Sequence, residues 1–331
     1  MNLPRELRCI THQQPLTASD SDLTCANGCI IPIVNGIPRF VSSDNYANAF
    51  GRQWNKFRKT QLDSHTGTTI SKDRLQRCLG GSLDVIKGKS VLEAGCGAGR
   101  FTEVMLKAGA HVFACDLSSA VEANYENCRN LSPDYFVCQA NALKLPVTSG
   151  SFDFVVCLGV IQHTPSPEQT IAALARYVRP GGTLAIDHYP PDYPLTRSRA
   201  LTRKLLLKLP PRVAHELALT LARVLVPVHR LTWNNRRGVW RVRRWLAKHS
   251  PLVDYYGIFS IDRDLLAEWA ILDTHDTLTD YYKHLRSEAQ IEQSLLACGF
   301  SRVQVWRGGN GIEARATLPA SLARIDMPQP V

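Results

Sequence analysis

The sequence predicts a doubly wound α/β fold, in which a mostly parallel sheet carries helices on both faces. Between residues 83 and 188, apolar β-like runs alternate with helical stretches that begin near Arg100, Ala120 and Gln169. Strands that alternate with helices build βαβ units, which place parallel strands side by side in a buried sheet. A helix at 287–298 and two strands near 301–317 predict an antiparallel edge strand that completes the sheet.

Length and composition bound the class of protein. The 331 residues exceed one average domain, and 44% hydrophobic with 21% charged residues is ordinary for a globular chain. The sequence has no uncharged apolar run of membrane-spanning length, and its first residues lack the apolar core of a signal peptide. We therefore expect a cytoplasmic protein whose ten cysteines are reduced thiols.

The organisation along the chain predicts a core domain with appendages. The expected segments are a small N-terminal ribbon (1–41), a helical lid or linker (42–82), a core (83–196 and 251–317), a basic helical insert (197–250) and a disordered tail (318–331).

The most informative motif is the glycine-rich turn VLEAGCGAGRF at 91–101. Glycines are needed where a backbone turns tightly and approaches a ligand without a Cβ in the way. A dinucleotide site is the rival interpretation, but its G-x-G-x-x-G pattern places the third glycine one residue further on, inside the helix. The GxGxG spacing, with Glu93 two residues ahead, argues against that rival.

Asp116 ends the next predicted strand, HVFACD, about twenty residues after the turn. An acid at this place offers two acceptors for the vicinal hydroxyls of a ribose. The alternative is a helix cap, because Ser118 and Ser119 follow. Its spacing from the glycine turn favours the ribose role.

These motifs resemble those of the class I S-adenosylmethionine-dependent methyltransferases, in their small-molecule, type 11/12-like subset. VLEAGCGAGRFT and HVFACDLS resemble the first two family motifs, and QANALKLP, FDFVVCLGVIQHTP and VRPGGTLAI resemble the next three, in the family's order. The resemblance implies a Rossmann-like fold and S-adenosyl-L-methionine as the methyl donor. Segments flanking the core resemble a bacterial subgroup with an N-terminal cysteine-rich segment, whose members often accompany glycan, lipid-linked sugar or natural-product biosynthesis.

The resemblance also implies the cofactor-binding residues. Those expected to cradle the methionine part are Glu93, Gly95, Gly97 and Gly99, with Cys96 as a filler of the turn. Asp116, followed by Leu117, would hold the ribose, Asn141 and Ala142 would flank the adenine, and Leu158 would begin the strand end that faces the methyl group. Asn141 departs from the family, which commonly has an acid there, although its amide oxygen can still accept a hydrogen bond.

His163 and His188 are the catalytic candidates. Both follow strands at the edge of the sheet where ligands bind in open α/β folds. A base at this edge can take the proton of a hydroxyl nucleophile. For His163 the alternative role is to orient the loop before Pro165. Trp54 and Tyr189, together with Tyr282 and His284, are candidate substrate contacts, with core packing or surface decoration as the alternatives.

The N-terminal segment contains a candidate zinc site. Cys9, His12, Cys25 and Cys29 offer three thiolates and an imidazole, enough for a closed tetrahedral site. The following IPIVNGIPRFV resembles the end of small zinc-ribbon modules. His12 in place of a second cysteine, and a three-residue spacing in the second pair, leave a metal-free β-hairpin cap as the alternative.

The basic charge belongs to one segment. Residues 197–250 carry fourteen Lys or Arg and one acid, Glu216, whereas the whole chain has a net charge of +10. Three interpretations remain open: a solvated helical lid, docking of an anionic or carrier-linked substrate, and peripheral contact with an anionic membrane aided by Trp240 and Trp245.

The leading function hypothesis is methyl transfer to a small molecule, to oxygen rather than nitrogen because His163 can serve as a base. An RNA methyltransferase is the alternative suggested by the zinc-ribbon-like start and the basic surface. The fourth motif argues against it, since the strand end reads LGVIQH rather than the [D/N/S]-P-P-[Y/F] typical of base amino methylation. A non-catalytic module that binds the methyl donor is the second alternative. We therefore expect a small-molecule substrate rather than a nucleic acid as the partner, and the oligomeric state is left open.

Overall fold

A computed structural model describes residues 3–42, 45–233 and 238–320. The chain begins with a small antiparallel sheet of four strands in sequential order. They are β1 (Thr17–Ala18), β2 (Asp22–Thr24), β3 (Ile30–Val34) and β4 (Ile37–Pro38). This ribbon packs on the main domain, because Leu7, Leu23 and Ile31 are buried in the central core and Phe40 N donates to Gln139 O at 2.8 Å.

Three helices lead from the ribbon into the main sheet. They are α1 (Asn48–Lys56), α2 (Asp63–Thr66) and α3 (Ile70–Leu79). Gly80 ends α3 in a left-handed conformation with φ +99°, which a residue without a Cβ adopts at no steric cost. The predicted helical segment at 42–82 thus contains α1 to α3.

Within the described ranges, seven strands form the main sheet in the order β10-β11-β9-β8-β5-β6-β7. The strands are β5 (Ser90–Ala94), β6 (His111–Asp116), β7 (Tyr135–Gln139), β8 (Phe152–Cys157), β9 (Val178–His188), β10 (Arg302–Gly308) and β11 (Gly311–Thr317). Strands β5 to β9 are paired in parallel, whereas β11 is antiparallel to both of its neighbours. The antiparallel strand therefore lies second from the edge, and β10 is the edge strand.

Helices cover both faces of this sheet. The first three are α4 (Arg100–Lys107), α5 (Ala120–Cys128) and α6 (Pro167–Ala175). Neighbouring residues of one strand join different apolar clusters: Leu92 belongs to one and Val91 to the other. Because successive side chains of a strand point to opposite faces, the sheet is buried on both sides. The doubly wound α/β prediction is confirmed.

A helical layer follows β9. It contains α7 (Arg197–Leu206), α8 (Pro211–Arg230), α9 (Val239–His249) and α10 (Arg263–Thr279). Buried Ala222 and Val226 of α8 pack with Leu266 and Ala270 of α10. The helical layer thus continues to Thr279, past residue 250, where the predicted insert ends, because α10 supplies its inner wall.

The chain then returns to the sheet through α11 (Glu288–Ala297). Ser287 and Gln290 form a reciprocal capping box at its start, which satisfies the first free backbone N–H groups. Leu318 N donates to Gly182 O at 2.9 Å, so the pairing extends just past β11. Of the tail predicted to be disordered, residues 321–331 lie outside the described residues. In the described ranges, no helix combines the length and apolarity that a bilayer crossing requires.

Candidate functional site

A cavity of about 860 Å³ opens at the carboxyl ends of β5, β6 and β8. Its opposite walls are formed by residues of α1, α3 and α10. This volume lies within the range of small-molecule sites, and its position is the one where open α/β sheets bind ligands. The cavity is therefore the candidate functional site.

The glycine turn forms one wall. Gly95 and Gly97 have positive φ angles of +78° and +49°, and both line the cavity. A Cβ on Gly95 would lie 2.3 Å from Val160 Cγ2, whereas one on Gly97 would lie 3.5 Å from the Trp54 indole. The turn therefore needs a residue without a side chain at Gly95, both for its conformation and for its closeness to Val160 in the segment after β8.

Asp116 joins the turn to the second strand. Its Oδ2 accepts from Gly97 N at 3.0 Å, and its Oδ1 accepts from Ser118 N and Ser118 Oγ at 2.8 and 2.7 Å. Burial raises the pKa of the Asp116 carboxyl, although these hydrogen bonds favour the charged form. The N-cap of α5 is Ser119, so Asp116 is not that cap. A carboxylate oxygen can accept more than one hydrogen bond, so Asp116 on the cavity wall retains capacity for hydroxyl donors.

Two residues expected to cradle the cofactor lie behind the wall. The Glu93 carboxylate is buried and accepts from Thr102 Oγ1 at 2.5 Å, which joins β5 to α4. Burial raises the pKa of Glu93 to about 8, against the lowering effect of the Thr102 hydroxyl. Gly99 is the N-cap of α4, with φ +94°. Both residues thus support the turn from outside the cavity.

The remaining cofactor candidates lie on the cavity wall. They are Cys96, Leu117, Asn141, Ala142 and Leu158. Asn141 Oδ1 accepts from Leu143 N at 3.0 Å, so the amide oxygen is already engaged by the backbone. The structure therefore brings together residues from the turn and the ends of β6, β7 and β8.

His163 lies on the cavity wall between two aromatic rings. The rings of Phe50 and Tyr189 are each centred 5.4 Å from it. Its Nδ1 lies 3.1 Å from Tyr282 O and 3.3 Å from Asp280 Oδ2. A carbonyl oxygen only accepts, so Nδ1 carries the hydrogen and Nε2 is the acceptor nitrogen of the neutral ring. Asp280 is buried and also accepts from Arg203 Nε of α7 at 2.7 Å.

The position of His188 in the structure does not support the catalytic role predicted for it. The side chain is fully buried outside the cavity wall, and its Nδ1 faces Tyr189 O at 2.9 Å. Burial lowers the pKa of His188 to about 4, so the ring is neutral at physiological pH. The prediction failed because residues alternate between the two faces of the sheet along β9, and the side chain of its last residue, His188, points into the core.

The predicted substrate contacts divide into two pairs. Trp54 and Tyr189 line the cavity. Tyr282 and His284 are not among the residues that line the cavity, and their role as substrate contacts stays a prediction. Tyr282 reaches the site through its backbone carbonyl on His163, and His284 N donates to Gln162 O at 2.9 Å. The loop after α10 thus holds the His163 segment by main-chain contacts.

Sequence reasoning missed an acidic row on α10. Asp273, Asp276 and Asp280 follow i, i+3, i+7 spacing, which places them on one helix face. Asp273 and Asp276 line the cavity. Burial raises the pKa of Asp273 to about 7, partly opposed by the hydroxyl of Tyr255, which donates at 2.6 Å. The spacing was the available signal, but only the fold shows that this face meets the glycine turn.

Two arginines of the cavity wall were also missed. Arg100 donates to Ser71 Oγ at 3.1 Å and to Gln61, and Arg199 donates to the carbonyls of Pro194 and Leu252. Among the described residues, neither makes a salt bridge with an acid. Burial lowers the pKa of Arg100 to about 10, with the nearby Arg74 adding to the effect. Two half-buried guanidinium groups on the cavity wall are therefore held by neutral protein acceptors.

The four predicted metal ligands converge in the ribbon, and none of them lines the cavity. His12 Nδ1 lies 3.8, 3.5 and 3.4 Å from the Sγ atoms of Cys9, Cys25 and Cys29, and all four ligand atoms lie within 4.8 Å of one another. Ligand bonds of zinc imply nitrogen–sulfur separations of about 3.6 Å in a tetrahedral site. The four residues fit a zinc ion.

Comparisons with known proteins agree with the motifs. A family described as a methyltransferase domain matches residues 92–186. A ubiquinone biosynthesis O-methyltransferase of Aromatoleum aromaticum is 33% identical over 144 residues, covering 40% of this chain and 57% of that protein. One of Pseudomonas fluorescens is 28% identical over 181 residues, covering 53% and 75%. The match to the first of these spans little more than half of that relative's length.

Solved structures are also similar. The magnesium protoporphyrin IX methyltransferase of Synechocystis PCC 6803, with bound SAH, is 17% identical with a TM-score of 0.42. The alignment covers 82% of this chain and 96% of that one.

Proposed function

We propose that this chain, whose residues 92–186 form a class I S-adenosylmethionine-dependent methyltransferase domain, transfers a methyl group to a hydroxyl oxygen of a small molecule. The observation that carries the proposal is the placement of His163, whose Nδ1 faces Asp280 and Tyr282 O while the ring lines the cavity. A hydroxyl nucleophile must lose its proton, and a neutral imidazole can accept it. The O-methyltransferase relatives support oxygen as the acceptor atom.

The residues on the wall fit the methyl donor. At Gly97 the nearest atoms to the Cβ position are those of the Trp54 indole at 3.5 Å, and Asp116 offers carboxylate oxygens to hydroxyl donors. When bound, S-adenosylmethionine supplies an electrophilic methyl group on a positively charged sulfur. The chain would hold this donor through the turn and Asp116, with Asn141, Ala142 and Leu158 as further contacts.

The protein groups would then move one proton. His163 accepts the hydroxyl proton at Nε2, and the Asp280 carboxylate stabilises the imidazolium that forms. Arg203 and Lys283 both pair with Asp280, which keeps it charged. Burial alone would raise the pKa of Asp280, but the contacts with His163 and Lys283 lower it below its usual range. Asp280 is therefore a positioning residue, and His163 is the proposed base.

The arginines of the cavity wall suggest the kind of acceptor. Arg100 and Arg199 make no salt bridge with an acid among the described residues, and a half-buried cation is stabilised by an anionic partner. We therefore propose a small hydroxylated acceptor with an acidic group, from glycan, lipid-linked sugar or natural-product biosynthesis.

The segment boundaries expected from the sequence form part of the same proposal, with the insert extended to Thr279.

The experiment measures donor binding and turnover separately. Calorimetry should show saturable binding of S-adenosylmethionine and of S-adenosylhomocysteine. A panel of catechols, phenols and hydroxy acids is then screened for formation of S-adenosylhomocysteine. We expect His163→Ala to keep the donor affinity and to lose about 10²- to 10⁴-fold in turnover.

A matched control is His111→Ala, an exposed histidine at the other end of β6. It should retain both donor affinity and turnover. Unchanged turnover in His163→Ala would remove His163 from the mechanism, and absence of donor binding would overturn the proposed function. Filter binding of ribosomal RNA at physiological salt would instead favour the RNA alternative.

A further inference from the structure

The outward face of α8 is apolar. Val213, Leu217, Val224 and Val228 are between 45 and 63% exposed. At 3.6 residues per turn, these four side chains fall within about 60° of arc and form one stripe along the helix. The opposite side of the helix is already buried against α10. The stripe is thus additional to the face that holds α8 in the fold.

The two neighbouring helices of the insert share this character. On α7, Leu201 and Leu205 are exposed one turn apart beside Lys204, and Lys208 follows just after the helix. No residue of α9 is buried, although the helix carries Trp240, Val242 and Trp245. Exposed aromatic and aliphatic side chains at this density mark an interaction surface rather than ordinary solvent contact.

Positive charge surrounds the apolar side chains. Residues 197–250 contain fourteen Lys or Arg and only Glu216 as an acid. On α8, Arg212 and Arg223 are exposed and lie on one flank of the stripe, within about 20° of each other around the axis. Charge and apolar area are therefore presented together.

We propose that the exposed side chains of α7, α8 and α9, here termed the insert surface, dock the protein on an anionic lipid bilayer. The helices would lie in the plane of the interface, with Leu, Val and Trp among the acyl chains and Arg and Lys at the headgroups. A nucleic acid would satisfy the charge but would offer no partner for the aliphatic stripe. This inference is independent of the proposed methyl transfer, since none of its residues belongs to the proposed cofactor or catalytic set.

The test is flotation of the full chain with lipid vesicles. We expect binding to vesicles of phosphatidylcholine mixed with phosphatidylglycerol, and much weaker binding to phosphatidylcholine alone. Binding should weaken as salt is raised, because the charges at a surface are screened. No binding to the mixed vesicles at low salt, or binding that salt does not affect, would overturn the proposal.

Variants separate the contribution of the apolar stripe to vesicle binding from that of the positive charge. Leu217→Ser, Val224→Ser and Val228→Ser together should reduce vesicle affinity by about tenfold or more, since each removes methyl groups that would enter the bilayer. Arg212→Gln with Arg223→Gln should reduce it by about fivefold per arginine. The control is the triple variant Val85→Ser, Leu131→Ser and Leu296→Ser, which changes side chains of similar exposure, 41 to 52%, outside the insert.

All variants are first compared with the native chain by circular dichroism and thermal unfolding. The proposal predicts that the control triple binds vesicles like the native chain. Equal binding by the stripe variant would contradict it. A second outcome would also contradict the proposal. If the native chain binds no vesicles but self-associates as its concentration rises, and the stripe variant abolishes this self-association, the insert surface joins two copies of this chain.

Discussion

The Asp280 carboxylate lies 3.3 Å from Nδ1 of His163, across 117 residues of sequence. Asp280 is the C-cap residue of α10, and His163 lies in a short 3-10 turn after β8. The helical insert supplies a further contact to the same carboxylate through Arg203. The insert and the core domain therefore share one buried charge network, which joins the proposed base to the helical layer.

Removal of the Asp280 charge should impair turnover more than donor binding. For Asp280→Asn we expect a loss of about 10- to 100-fold in kcat with little change in affinity for S-adenosylhomocysteine, because the imidazolium loses its counter-charge. The acid limb of the pH–rate profile should also move to lower pH. Asp192→Asn, the same change at an exposed salt bridge with Arg307, is the control. If Asp280→Asn has the same pH–rate profile as the native chain, Asp280 has only a structural role.

A side chain at Gly95 should disrupt the turn. In Gly95→Ala the new Cβ meets Val160 at 2.3 Å and the backbone stays at φ +78°. We expect the free energy of unfolding to fall by about 2 to 5 kcal/mol, from strain and overpacking together. Gly67→Ala is the control, since Gly67 has φ +69° but no atom within 4 Å of its Cβ position. It should lose only about 1 to 2 kcal/mol. Equal losses in urea unfolding would show that Val160 does not restrict the turn.

The buried Glu93 should make stability depend on pH. Burial raises its pKa from 4.5 to about 8, so the folded state keeps a proton that the unfolded chain has already released. Stability should therefore fall as the pH rises from about 4.5 to 8, with a contribution on the order of 5 kcal/mol from this residue. Glu93→Gln cannot ionise and should lack that part of the fall.

The measurement is urea unfolding of both proteins across this pH range. Glu126→Gln, at a surface position of α5, is the control and should follow the native profile. Parallel profiles for the native chain and Glu93→Gln would show that Glu93 ionises normally in the fold.

The ribbon should contain one zinc ion. Elemental analysis of the unchelated protein should give about one equivalent, because the four ligand atoms already lie within 4.8 Å of one another. Cys25→Ser should lose the metal and unfold at a lower temperature, since the ribbon buries Leu23 and Ile31 in the main core. Cys298→Ser, outside the cluster, should retain it. Native protein almost free of zinc would support the metal-free hairpin cap.

The cofactor wall was predictable because its signals are local. A glycine turn after a buried strand and an acid at the end of the next strand fall at the same sheet edge in any parallel α/β fold. The same logic brought Asn141, Leu158 and His163 to the cavity. It was wrong for the side chain of His188, because the strand direction alone does not say which face the final residue of β9 takes.

The sequence by itself determined the sheet, the glycine turn, the cluster of candidate zinc ligands and the location of the basic charge, because each depends on short spacings and backbone periodicity. Only the tertiary structure decided that Asp280 meets His163, that Arg100 and Arg199 face the cavity, and that α8 leaves an apolar stripe exposed. These relationships depend on how α10 packs between the insert and the core. Such packing arises from contacts between residues far apart in the chain, which no local pattern encodes.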